Sequence, residues 1–110
     1  MPWFVKLEAG LVPKQQFDAV IPAHLAWLAD LERNGHAPRS GYWADRLGRT
    51  GDGAGGMLVF RARDWAEAEL LVLSDPLILE GCVDWTLHEW AVVFPRPHLA
   101  SCETAGPSLS

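Results

Sequence analysis

The chain carries the pattern strand, helix, strand twice in succession, and this repetition restricts its fold more than any other feature. In the first half, apolar and aromatic residues from Trp3 to Glu8 predict a strand that ends at Gly10. Apolar residues then recur at helical spacing between residues 17 and 31, and residues 38–44 predict a short strand. The first half is therefore one strand–helix–strand unit.

The second half repeats the same order. Residues 57–62 predict a strand, and Asp64 with Glu67 three residues later has the pattern of a capping box that begins a helix. That helix is expected to end at Asp75-Pro76, because proline disfavours helical geometry in the residue before it. A last strand is predicted over about residues 83–93.

Pro22 lies within the first helical pattern and leaves two alternatives open. It kinks one long helix, or it is the first-turn residue of a helix that begins there, where its missing N–H costs nothing. Asn34-Gly35 supplies the stop signal in both cases.

Two such units predict an α+β fold, the ferredoxin-like βαββαβ arrangement, with both helices on one face of a four-stranded antiparallel sheet. We expect the two central strands to be parallel, so that the helices run side by side in the same direction. We expect residues 1–95 to form this domain, the glycine-rich segment RLGRTGDGAGG to be a loop or a wide hairpin, and residues 96–110 to form an irregular C-terminal tail.

The last strand has apolar residues on both faces. Trp85, Leu87 and Ala91 point one way, while Trp90 and Val92 point the other. The second face therefore requires a cover, and a second subunit is the simplest one. We predict a homodimer, the dimeric α/β barrel.

Charge and composition exclude several classes of partner. The net charge is −5 and the Lys and Arg residues form no stripe, so a nucleic acid is not expected to bind. No apolar run is long enough for a membrane span and the N-terminus lacks a signal-peptide layout, so we expect a cytoplasmic protein with no membrane partner. GDGAGG lacks a following Lys-Ser/Thr, so nucleotide binding is not indicated.

No metal or other cofactor is predicted. The two cysteines, Cys82 and Cys102, are expected to be free thiols in no metal-binding spacing. His36, His88 and His98 likewise lack ligand partners at a recognisable spacing.

Two polar residues fall on the apolar faces of the predicted helices. A lone histidine such as His24 is most often satisfied by a backbone carbonyl, but Asp75 would be costly to bury without a partner. Asp75 lies about ten residues beyond Trp65, or about 15 Å of helix, and His24 lies as far beyond Lys14. The residues on the same helical face as His24 are Phe17, Ile21, Leu28 and Leu31. Those on the same face as Asp75 are Trp65, Ala68 and Val72.

If the first helix begins near Lys14, His24 and Asp75 can meet between the helices and the sheet. Asp75 would then accept a hydrogen bond from one ring nitrogen of His24, and the other nitrogen would act as general acid or base. A helix that begins only at Pro22 would make this meeting depend on the preceding loop.

Several stretches resemble the YciI-like (YCII-related) family over roughly residues 3–94. They are PAHLAWLADLERNG with its histidine, Gly41 in the next strand, GGMLVFRARDWAEAELLVLSDPLILEG with its Asp-Pro, and EWAVV. The resemblance implies a dimeric ferredoxin-like α+β barrel and a His–Asp active site, here His24 and Asp75. Dehydrochlorination of a chlorinated hydroxyaromatic is among the activities attributed to the family. The chain differs in its second strand, where RSGYW places Tyr42 and Trp43.

The main hypothesis is a cofactor-independent lyase or isomerase that acts on a small cyclic or aromatic molecule. His24 and Asp75 are its candidate catalytic residues, and Ser40, Tyr42 and Trp43 its candidate substrate-binding residues. The first alternative is a non-catalytic small-molecule-binding or regulatory dimer. A cofactorless monooxygenase is a further alternative that rests on fold analogy alone.

Overall fold

The computed structural model describes residues 1–44 and 55–95. The glycine-rich loop prediction lies mostly outside these ranges, and the predictions for the tail, His98 and Cys102 lie wholly outside them. The described elements are β1 (Trp3–Gly10), α1 (Lys14–Arg33), β2 (Arg39–Tyr42), β3 (Gly55–Arg61), α2 (Trp65–Leu73), α3 (Pro76–Leu79) and β4 (Val83–Trp90).

The four strands form one sheet in the order β2-β3-β1-β4, and every neighbouring pair is antiparallel. With helices on one face, this confirms the predicted α+β, ferredoxin-like fold. The expectation that the two central strands are parallel was wrong, since Trp3 of β1 lies opposite Arg61 of β3 and Ala9 opposite Gly55. The β2–β3 hairpin reverses the chain before β3 enters beside β1, and this reversal makes the central pair antiparallel.

The two helical segments consequently begin at opposite ends of the sheet. At one end Leu11, just before α1, donates its N–H to the carbonyl of Cys82. At the other end Ala62, just before α2, donates its N–H to the carbonyl of Pro2. Each segment then returns across the same face of the sheet toward the start of the other.

Helix α1 is one continuous helix, which decides between the two alternatives for Pro22. It begins at Lys14, and Pro22 lies inside it at an exposed position. The missing N–H of Pro22 removes one intrahelical hydrogen bond, to the carbonyl of Asp18, and the exposed side of the helix leaves that carbonyl open to water. The predicted stop is present, because Gly35 has a φ of 85° and follows the C-cap Asn34.

Helix α2 begins with the predicted cap and ends slightly earlier than predicted. Asp64 Oδ1 accepts the N–H of Glu67 at 2.9 Å, and α2 ends at Leu73. Asp75 then begins α3, a single turn that the sequence analysis did not predict. In the first and last strands, β1 extends to Gly10, and β4 ends at Trp90 rather than near residue 93.

The core lies between the helices and the sheet. Phe4 and Phe60, on the central strands, are fully buried with their ring centroids 5.9 Å apart. A smaller cluster lies under α3 and the start of β4. The main cluster is Phe4, Leu31, Leu58, Phe60, Ala62, Ala68 and Val72, and the smaller one is Leu77, Cys82 and Val83.

The opposite face of the sheet carries a group of apolar side chains beside several polar ones, and no described element covers it. As predicted, Trp85 and Leu87 pack against the core, while Trp90 lies on the other face opposite Trp3. On that open face Trp90 is 48% exposed and Met57 is 39% exposed. A monomer would leave this apolar surface in water.

Two further findings concern the described helices and cysteines. None of the described helices is both long and apolar enough to cross a membrane. Cys82 is a buried free thiol, and burial raises its pKa.

Substitution of Leu58 tests the position of the core. Leu58→Ala removes a side chain that is 1% exposed and leaves a cavity, so we expect a loss of about 2–5 kcal/mol in the free energy of unfolding. Leu70→Ala is the control, because Leu70 is 70% exposed and the same truncation there should cost less than about 0.5 kcal/mol. Urea unfolding of both variants measures the difference, and equal losses would contradict this placement of the core.

Candidate functional site

Asp75 is a fully buried carboxylate at the junction between α2 and α3. Pro76 occupies the first turn of α3, where a missing N–H costs nothing, and Asp75 Oδ1 accepts the N–H of Leu77 at 3.0 Å. The Asp-Pro pair therefore starts a new turn of helix, and its carboxylate lies beneath the helices.

His24 lies next to Asp75. The distance from His24 Nδ1 to Asp75 Oδ1 is 2.8 Å, and the side chain of His24 is 8% exposed. Each residue is about ten positions from the start of its helical segment, and the segments start at opposite ends of the sheet, so the two meet over its middle. The predicted meeting occurs, although the helical directions from which it was argued were wrong.

Lys6, on the central strand β1, completes the contact and was missed by the sequence analysis. Its side chain is fully buried, and Nζ lies 2.5 Å from Asp75 Oδ2. A signal was present in the sequence, because Lys6 is two positions from Phe4 and must share its face of the strand. A lysine in phase with a core phenylalanine requires a buried anion.

Glu8 is the next residue on the same face of β1. Its Oε2 lies 3.3 Å from Lys6 Nζ, and its side chain is 8% exposed. This contact is an ion pair without hydrogen-bond geometry, so Oε2 has no hydrogen-bond donor among the described residues. We refer to Lys6, Glu8, His24 and Asp75 as the charge cluster.

The neighbours of Asp75 keep it ionised. Burial alone raises the pKa of a carboxyl group, but the hydrogen bond from His24 and the positive charge and hydrogen bond of Lys6 outweigh burial here. The pKa of Asp75 therefore lies below its ordinary value. Since an ionised carboxylate only accepts hydrogen bonds, His24 donates from Nδ1. Nε2 has no partner within the part of the chain that the structure describes.

The indole of Trp27 packs against a face of the imidazole ring of His24. The two rings are stacked with centroids 5.7 Å apart, and Lys6 Nζ lies 5.6 Å from the centre of the indole. The indole N–H of Trp27 donates to Ser74 Oγ at 2.9 Å, and that hydroxyl donates to the carbonyl of Leu71. These bonds restrict the rotation of Trp27 and hence of the histidine ring.

A cavity of about 370 Å³ lies beside His24, between α1 and the β2 edge of the sheet. Its volume suits a small organic molecule. Apolar side chains form most of its wall, and the polar ones are few. The lining residues are Glu8, Phe17, Ile21, His24, Leu25, Leu28, Ser40, Gly41, Tyr42, Gly55 and Leu77.

The structure brings two of the three predicted substrate-binding residues to this cavity. Ser40 and Tyr42 line it, whereas Trp43 is absent from its wall. Trp43 lines a second hollow together with Met57 and Val59, toward the open face of the sheet, and Ser40 and Tyr42 line that hollow too. The physical reason is the alternation of side chains along a strand, which turns adjacent residues to opposite faces.

The arrangement is equipped for proton transfer. An imidazole with one nitrogen fixed by a carboxylate can exchange a proton at the other, and the cavity beside it is largely apolar. Among residues 1–44 and 55–95 no group of three or more His, Cys, Asp or Glu side chains is placed to hold a metal ion.

The solved structures that are similar to this chain include the following two. The first is 5-chloro-2-hydroxyhydroquinone dehydrochlorinase from Burkholderia phenoliruptrix in complex with 2,5-dihydroxybenzoquinone. It is 23% identical, with a TM-score of 0.61, and the alignment covers 81% of this chain and 93% of that one. The second is a dimeric ferredoxin-like protein from an uncultured marine organism. It is 18% identical, with a TM-score of 0.48 and coverage of 84% and 97%.

No curated protein matches the sequence. Among protein families, the YCII-related domain matches residues 4–91. This range includes the whole charge cluster and most of the chain. The chain therefore belongs to the YCII-related domain family.

Proposed function

We propose that the protein is a cofactor-independent enzyme that performs lyase- or isomerase-type acid–base chemistry on a small cyclic or aromatic compound. The observation that carries this proposal is the buried hydrogen bond between His24 and Asp75 at the wall of an apolar cavity. The dehydrochlorinase with the same fold, whose name specifies a chlorinated hydroxyaromatic substrate, supports the choice of reaction class.

In the proposed mechanism His24 is the general base and acid. Its Nε2 takes a proton from a carbon or hydroxyl of the substrate, and the electron pair left behind forms a new double bond. In a lyase reaction the leaving group departs with its own electron pair from the adjacent atom. In an isomerisation His24 returns the proton to a different atom of the substrate.

Asp75 orients His24 and stabilises the imidazolium that forms. The Nδ1–H of His24 points at Asp75, so Nε2 is the nitrogen that accepts the proton. Lys6 supports this role, because its charge keeps Asp75 ionised and able to accept the Nδ1–H.

The cavity restricts the substrate to a small and largely apolar molecule. Phe17, Ile21 and Leu28 of α1 provide one wall, and the volume of about 370 Å³ suits a single substituted ring. Ser40 and Tyr42 are the proposed polar contacts from β2. Trp43 has no proposed contact with a ligand in this cavity.

We also propose that two copies of the chain associate through the open face of the sheet. Trp3, Leu7, Met57 and Trp90 give that face an apolar surface, and a second copy of the sheet would bury it as a dimeric α/β barrel. A cytoplasmic location stays a prediction from the sequence.

The chemistry is tested by removal of the imidazole. In a screen of small hydroxylated and halogenated ring compounds, we expect His24→Ala to lower the turnover of any substrate by about 10²–10⁴-fold, the usual contribution of a general acid or base. His36→Asn is the matched control, because His36 is also buried but bonds the carbonyl of Arg61. Turnover that is unchanged in His24→Ala would contradict the proposal. Ligand binding without turnover would favour the non-catalytic alternative.

The ionised state of Asp75 is tested by the pH dependence of stability. Because its folded pKa lies below the unfolded value of about 3.9, its stabilisation is present above that pH and is lost as the pH falls through the folded pKa. We expect urea unfolding to show a loss of about 1.4 kcal/mol per unit of pKa difference in the wild type. Asp75→Asn should lack this part of the acid dependence.

At neutral pH Asp75→Asn should cost about 3–5 kcal/mol, because Lys6 stays charged and buried and loses its closest anion, keeping the longer contact with Glu8. Asp18→Asn is the control, since Asp18 pairs with Lys14 on the surface of α1 and its loss should cost less than about 1 kcal/mol. If Asp75→Asn and Asp18→Asn had the same acid dependence, ionised Asp75 would not be a source of stability.

The dimer is tested by a charge on the open face. Met57→Glu should weaken association by at least about a hundredfold, since a buried unpaired carboxylate costs several kcal/mol. In sedimentation analysis the mass should fall from twice 12.1 kDa to 12.1 kDa. Leu79→Glu, on the exposed surface of α3, should leave the mass unchanged. A wild type that sediments as a monomer would refute the dimer.

A further inference from the structure

Glu8 is a buried carboxylate of the cavity wall that the proposed proton transfer does not use. The positive charge of Lys6 is already balanced by Asp75. Lys6 Nζ lies 2.5 Å from Asp75 Oδ2 but 3.3 Å from Glu8 Oε2. Glu8 Oε2 also lacks a hydrogen-bond donor among the described residues, although its side chain is more than nine-tenths buried. Such an atom is costly to bury unless something else binds to it.

Strand β3, next to β1, has no side chain opposite Glu8. In the row of residues across the sheet, Glu8 is opposite Gly56, and Gly56 is opposite Tyr42. Gly56 is required there, because a Cβ at this position would lie 2.0 Å from the carbonyl oxygen of Gly41. Among the described residues no side chain of β3 therefore stands between Glu8 and Tyr42, the backbone of Gly41 lies against Gly56 instead, and Glu8 and Tyr42 both line the cavity.

The charges of the cluster specify what can bind to Glu8. Glu8 and Asp75 are two carboxylates, and among the residues that the structure describes Lys6 is the one ammonium group in contact with them. A ligand carboxylate placed against Glu8 would add a third negative charge in a poorly solvated site. An uncharged O–H or N–H group would instead donate the hydrogen bond that Oε2 lacks.

We propose that Glu8 is a specificity-determining residue of the cavity, which accepts a hydrogen bond from an uncharged O–H or N–H group of the ligand and disfavours carboxylate ligands. This inference rests on the proposed function in that the ligand occupies the cavity beside His24. It does not depend on any reaction there. Glu8 thus selects ligands by charge and by donor, while the apolar wall selects them by size.

Three probes of similar ring size separate these effects. Resorcinol carries two hydroxyl donors, 1,3-dimethoxybenzene has the same ring without donors, and benzoate carries a carboxylate. Each is titrated into the full-length protein while the NMR signals of the Ile21 and Leu77 methyl groups, which line the cavity, are followed. We expect the wild type to bind resorcinol at least about tenfold more tightly than either other probe.

Glu8→Gln keeps the shape of the side chain and removes its charge. We expect it to reduce both affinity ratios by about tenfold, chiefly through weaker resorcinol binding and stronger benzoate binding. Glu89→Gln is the matched control, because Glu89 is an exposed residue of β4 outside the cavity wall, and both ratios should stay as in the wild type. A residue that only balanced the charge of Lys6 would change stability without changing these ratios.

Several outcomes would overturn the inference. They are equal affinities of the wild type for all three probes, ratios unchanged in Glu8→Gln, or no resorcinol-dependent shift of the cavity methyl groups. Equal wild-type affinities would overturn the inference even if Glu8→Gln fails to fold. The titration measures equilibrium binding and not turnover. A protein without activity can therefore confirm the role of Glu8, and an active enzyme can contradict it.

Discussion

The ion pair between Lys6 and Asp75 is the interaction on which the rest of the structure depends. An ammonium group buried under two helices has a large desolvation cost, and Asp75 is the anion in direct hydrogen-bond contact with it. Asp75 in turn accepts from His24 of α1 and from Leu77 of α3. One carboxylate thus joins the central strand to two helical segments, and the positions of those segments on the sheet are coupled to its charge.

The break between α2 and α3 makes this arrangement possible. Pro76 begins α3 without an N–H to satisfy, so the side chain of Asp75 caps the new turn at Leu77 and still has acceptor sites for Lys6 and His24. Within a continuous helix a carboxylate has no free backbone N–H to cap. The single turn of α3 therefore has a structural role, because it places a buried charge beneath the helices.

His24 and Asp75 could be predicted from the sequence because helical spacing places both on apolar stripes. Both residues are equally far from the start of their helical segments, so they meet even though the helices run in opposite directions. Lys6 could have been found by the same logic, applied to the alternation of a strand with Phe4. The cavity could not have been found, since it requires the strand register that sets Gly56 between Glu8 and Tyr42. The side of the sheet on which Trp43 lies could not have been predicted either, because a strand of four residues, Arg39–Tyr42, has too little pattern to assign its faces.

The electrostatics of the charge cluster connect stability to the proposed chemistry. A base that takes a proton from a ligand becomes a cation, and burial of a new cation is favourable only near an existing excess of negative charge. With Asp75 paired to Lys6, the second carboxylate of Glu8 supplies that excess. When His24 accepts a proton, the cluster carries two positive and two negative charges, so proton transfer to His24 moves the buried site toward neutrality.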